Sequence, residues 1–100
     1  MAIAEITVVP IGTGSPSVSE YVAGAITVLE QEKSVKYKLT GMGTILEGNL
    51  TDILAAARKM HESVFSTQIQ RVVTTIRIDD RRDREASVQR KLQSVTKRLG

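Results

Sequence analysis

Glu47 is the residue of this chain whose chemistry most needs an explanation. It lies in Gly43-Thr-Ile-Leu-Glu-Gly48, a six-residue stretch with glycine at both ends and β-branched Thr44 and Ile45 inside. That composition reads as a short strand. Side chains alternate along a strand, so Thr44 and Leu46 face one way and Ile45 and Glu47 the other. A carboxylate among apolar neighbours costs free energy unless it is paired, hydrated or held for a ligand. Such a carboxylate can accept from an amino group, and the hydroxyls of Thr13, Ser19 and Thr44 can donate or accept. Arg77 and Asp79, on one face of the last apolar run, add charges of both signs. Each residue also has a plainer reading. Glu47 can reach solvent or pair with Arg71 or Arg77. The cluster Arg77, Asp79 and Arg81 can be a set of structural ion pairs, and the serines and threonines can serve loops, caps and strands.

Other chemistry is poorly represented. Cysteine is absent and histidine occurs once. His61 falls on an apolar helical stripe with no serine, cysteine or carboxylate spaced to form a catalytic set with it. We assign no catalytic residue, no metal ligands and no cofactor. Gly12-Thr-Gly-Ser15 lacks the lysine of a phosphate-binding P-loop and the spacing of a dinucleotide fingerprint. The net charge of +3 is uneven: residues 1–76 carry −1 and residues 77–100 carry +4. Acids alternate with bases in the basic end, the pattern of a salt-bridged surface. Only Tyr21, Tyr37 and Phe65 are aromatic, which argues against stacking on nucleic acid. The first residues lack a basic, apolar leader, and no apolar run nears the roughly 20 residues that span a bilayer. The expectation is a cytoplasmic protein with no membrane partner.

The elements that must position these residues follow from periodicity. Ile3 to Ile11 is a strand with two apolar faces, hence central. Ser17-Val-Ser-Glu20 forms a capping box, opening a helix to about residue 31 with Val18, Tyr21, Val22, Ala25 and Leu29 inward. Gly24 within it suggests a close approach to the sheet. Val35 to Thr40 alternates Lys36 and Lys38 with Tyr37 and Leu39, which suits an edge strand. Gly41-Met42-Gly43 turns it into the Gly43–Gly48 strand. Asn49 caps a second helix with Leu50, Ile53, Leu54, Ala57, His61 and Val64 on its stripe. Arg71 to Asp79 is the last strand. A third helix, from about Asp83 to Leu99, carries a narrow seam of Val88, Leu92, Val95 and Leu99.

The order β-α-β-β-α-β with an added C-terminal helix makes residues 1–100 a single α+β domain. It is a ferredoxin-like βαββαβ sandwich with a four-stranded antiparallel sheet. Right-handed crossovers place both main helices on one face. The other face then exposes Val9, Ile11, Ile45, Val73 and Thr75, an apolar patch of the kind that marks an interface.

Five segments carry a family likeness: Val9-Pro-Ile-Gly-Thr13, Ser17-Val-Ser-Glu-Tyr21-Val22, Met42-Gly-Thr-Ile-Leu-Glu-Gly48, Arg71-Val72, and Ile78-Asp-Asp-Arg81. Together they resemble the small thiamine-binding-type proteins of the YkoF-like superfamily. The resemblance implies a ferredoxin-like fold that pairs into homodimers and homotetramers. It also implies binding of thiamine or its hydroxymethylpyrimidine part in some relatives. Thr13, Ser19, Thr44, Glu47, Arg77 and Asp79 are the candidate ligand-binding residues. Two function classes stay open: a small-molecule binding protein, and an oligomeric structural or interaction module with neither ligand nor catalysis.

Overall fold

The computed structural model describes residues 1–14, 19–83 and 87–99. Its elements run β1 (Ala2–Ile11), α1 (Ser19–Glu30), β2 (Lys36–Thr40), β3 (Gly43–Gly48), α2 (Leu50–Val64), β4 (Arg71–Asp80) and α3 (Val88–Leu99). The sheet order is β2-β3-β1-β4, antiparallel throughout. β1, apolar on both faces, and β3 are the central strands. The lysine-bearing β2 is at an edge, where unpaired backbone groups face solvent and charge discourages further pairing.

Registers fix the two faces. Ala4 lies opposite Leu46 and Ile78, and Ile6 opposite Thr44 and Ile76. This face carries the core. Ala2, Ala4, Ile6 and Leu46 pack with Ala25 and Leu29 of α1 and with Ile53, Ala56, Ala57 and Met60 of α2. The opposite face carries Glu5 beside Ile45 and Arg77, Thr7 beside Thr75, and Val9 beside Val73. Val9, Ile11 and Val73 are exposed there.

Several local expectations need correction. The inner stripe of α2 is Ile53, Ala56, Ala57, Met60 and Val64, while Leu54 is exposed. The stripe is thus rotated from the expected one, because α2 sits over β1, β3 and β4 while also meeting α1. Asn49 precedes α2 in an extended conformation but its side chain makes no capping bond. Its carbonyl instead accepts from Ile53 N at 2.9 Å. Gly24 is exposed, and a Cβ there would meet nothing within 4 Å, so no close approach explains it. The glycine that does need its missing side chain is Gly43. A Cβ at that position would lie 3.0 Å from Thr7 Cγ2 and 3.2 Å from the Ile6 carbonyl oxygen, so β1 and β3 would have to shift by a few tenths of an ångström to admit a side chain there. The capping box at Ser17 lies outside the described residues.

The β2–β3 hairpin turns through Gly41 and Met42, neither with positive φ. The turn therefore lacks the left-handed residues of the primed types that usually join two strands so tightly. Thr40 braces it instead: its hydroxyl donates to the Gly43 carbonyl at 2.7 Å and accepts from Met42 N at 3.3 Å.

Candidate functional site

The two main helices do not cover the sheet equally. α2 packs on β1, β3 and β4, whereas α1 leans chiefly on α2. The side of α1 away from α2 therefore stands off the sheet near the β2–β3 hairpin. The gap is a groove of about 950 Å³, at the upper end of ordinary small-molecule pockets. Ile6 and Val8 form its floor, Tyr21, Val22 and Ile26 its α1 wall, and Leu39 to Thr44 its hairpin wall, with Met60 at the back.

Thr44 is the polar residue buried deepest in this wall, at 4% exposure. No hydrogen bond joins its hydroxyl to another described residue. Among the described residues, no fully sealed side-chain oxygen or nitrogen lacks a partner, so the Thr44 hydroxyl opens onto the groove. Register explains its place: Thr44 sits between Ile6 and Leu39 on the helix-facing side of β3. The hairpin backbone and the Tyr21 side chain supply further polar groups, and Glu30 at the end of α1 supplies the one charged group among the described residues of the lining. Such a groove can hold a flat, mainly apolar molecule and offer it a hydroxyl at depth.

The sequence-derived candidates are distributed over both faces of the sheet. Thr44 lines the groove. Glu47, Arg77 and Asp79 lie on the opposite, open face. Glu47 Oε1 accepts from the backbone N of Val88 at 2.6 Å, so the carboxylate is bound to the first turn of α3. The Ser87 hydroxyl accepts from Arg90 N at 3.1 Å in the same turn. Two of the helix's free N–H groups are thus satisfied, and a negative charge sits at the positive end of its dipole. Asp79 pairs with Lys91 of the same helix. Glu47 and Asp79 flank Ile3 across the sheet, and Ile3 is buried between them. Arg77 pairs with Glu5, its direct neighbour in register, at 2.9 Å. Arg81 is bidentate to Asp83. The hydrogen-bonded Arg82 guanidinium holds the Asp80 carboxyl below its ordinary value. Thr13 lies beyond the end of β1, between Gly12 and Gly14, whose φ values of +85° and +74° only glycine adopts without strain. Ser19 begins α1, and its side chain lies outside the described residues.

His61 sits at the margin of α2. Its Nδ1 is 2.6 Å from the Thr74 hydroxyl, and Phe65 meets its ring edge-on at a centroid distance of 5.1 Å. Among the described residues no group of three or more histidine, cysteine or carboxylate side chains is arranged to hold a metal. No described helix is long and apolar enough to cross a membrane.

Sequence reasoning missed most of the groove. Tyr21 and Val22 were read as core, yet both are only half-buried, and Leu39 and Met42 are exposed. The signal available was weak: a hydroxyl at Thr44 between apolar neighbours, facing the helices.

The chain is 48% identical to the UPF0045 protein YqgV of Bacillus subtilis, over 99% of this chain and 98% of that protein. It is 42% identical to a UPF0045 protein of Methanothermobacter thermautotrophicus, over 99% and 100%. The fold matches that of hypothetical protein MJ1052 from Methanocaldococcus jannaschii with a TM-score of 0.86 and 39% identity, covering 95% of each chain. It also matches a putative thiamine biosynthesis/salvage protein, TM0486, of Thermotoga maritima. That match has a TM-score of 0.76 over 94% of this chain and 97% of the other, and its 19% identity bears on fold alone. Residues 4–96 match the family model described as thiamine-binding protein, and the chain belongs to that family.

Proposed function

We propose that the groove between α1 and the β2–β3 hairpin binds thiamine or its hydroxymethylpyrimidine part, and that the protein holds and releases this ligand without converting it. The observation that carries the reading is the Thr44 hydroxyl, 4% exposed and without a partner among the described residues, in the wall of a largely apolar groove. The hydroxyl faces the groove, so a ligand nitrogen or amino group can take the hydrogen bond that solvent otherwise makes there. An aminopyrimidine offers both ring acceptors and an amino donor. Membership of the thiamine-binding family supports the same ligand class.

The test is titration calorimetry with thiamine and with hydroxymethylpyrimidine, on wild type and Thr44→Val. The variant weakens binding by about 0.5–1.5 kcal/mol, the net worth of one neutral hydrogen bond, and leaves the unliganded melting temperature unchanged or raised. Undiminished binding in Thr44→Val removes this hydroxyl from the site. Absence of binding to either compound favours the interaction module.

The open face of the sheet carries a second part of the proposal: the chain works as a homodimer or homotetramer. Val9, Ile11 and Val73 are exposed on that face, and Leu92, Val95 and Leu99 are exposed on α3. Apolar surface on this scale gains free energy when a second copy covers it. Sedimentation equilibrium at micromolar concentration shows assemblies heavier than the 10.9 kDa chain; a clean monomer overturns this part.

A further inference from the structure

The charge of the groove says which form of such a ligand it takes. Among the described residues, its lining contains the carboxylate of Glu30 and no lysine or arginine. Glu30 is the last residue of α1, and the last turn of that helix has no basic residue. The helix C-terminus adds its own partial negative charge at that end. Glu32, just beyond, is already paired with Lys59, so that lysine is committed elsewhere. On the open face of the sheet, Arg77 is bound to Glu5.

Resting on the thiamine-type reading above, we propose that the site selects the unphosphorylated, cationic form of its ligand and excludes the phosphate esters, with Glu30 as the residue that faces the positive ring. Thiamine carries a permanent positive charge on its thiazolium ring, whereas its diphosphate is an anion overall. A phosphate needs donors, and it is bound by arginine, lysine or a helix N-terminus. This groove instead presents a carboxylate and a helix C-terminus. Hydroxymethylpyrimidine is neutral and lacks the thiazolium, so its binding depends less on Glu30.

Titration calorimetry with four compounds tests this: thiamine, thiamine monophosphate, thiamine diphosphate and hydroxymethylpyrimidine, at low and high salt. Thiamine binds about tenfold or more tightly than the diphosphate at low salt, since like charges brought together are strongly disfavoured. The difference narrows as salt screens it. Glu30→Gln weakens thiamine about two- to fivefold, the range of an exposed ion pair, and Glu30→Lys weakens it further. Both change hydroxymethylpyrimidine binding by a smaller factor than thiamine binding. Diphosphate binding as tight as thiamine overturns the selectivity while leaving the groove as the site, as does thiamine binding indifferent to Glu30→Lys. If neither thiamine nor hydroxymethylpyrimidine binds, the ligand class falls and the selectivity with it.

Discussion

α2 and α3 are both amphipathic helices, of 15 and 12 residues, yet they meet opposite fates. α2 buries Ile53, Ala56, Ala57, Met60 and Val64. α3 buries none of its residues, and Leu92 and Val95 are 58% and 55% exposed. Among the described residues, Glu47 and Asp79 of the sheet hold the first turn of α3. The radius of gyration, 15.0 Å, exceeds the roughly 13 Å of a compact 100-residue domain, consistent with a helix that stands off the body. An apolar stripe states that a helix needs a partner and leaves the partner's identity open. For α2 the partner is its own sheet. For α3 no described part of its own chain covers the stripe.

That contrast can be broken at both ends. Ile53→Ala removes a fully buried side chain from α2 and costs about 2–5 kcal/mol of stability in urea unfolding. A loss no larger than that of Leu92→Ala would erase the distinction between the helices. Leu92→Glu should raise the dissociation constant of the assembly at least about a hundredfold, about 2.7 kcal/mol, as read by sedimentation. Unchanged assembly would mean that α3 is simply solvated. Glu47→Gln keeps the shape of the α3 anchor and loses its charge. It costs about 0.3–1 kcal/mol in urea unfolding without ligand and leaves thiamine affinity intact. A binding loss of about 1.5–3 kcal/mol, as for a charged hydrogen bond, would instead put Glu47 in a ligand site. The smallest effect belongs to His61→Gln at the margin of α2. Its contact with the Thr74 hydroxyl is worth about 1 kcal/mol or less, and ligand affinity stays within a few-fold; a hundredfold loss with the fold intact would give His61 a direct role.

The strands and their order were legible because alternation is a local signal. Ile6 with Val8, Thr44 with Leu46, and Lys36 with Lys38 each announce a face, and short connections leave few topologies. The same alternation separates Thr44 from Glu47, yet one ligand set drawn from both had to span two sides of the sheet. What joins Glu47 to Val88 is a contact 41 residues apart in sequence, and no periodicity encodes it. The stripe of α2 was displaced for a related reason. Ala56 and Met60 face inward in place of Leu54 because α2 serves the sheet and α1 together. The groove was the least legible feature, since it exists only through the way α1 leans.

That lean has a mechanical consequence. The groove's width is gauged on its far side, where α1 rests on α2, while the ligand would touch α1 and the hairpin. A bulkier residue at buried Ala56 or Ala57 of α2 would act as a shim, shifting α1 relative to Leu39 and Thr44 without lining the groove itself. The width of the groove is therefore adjustable from positions that do not line it.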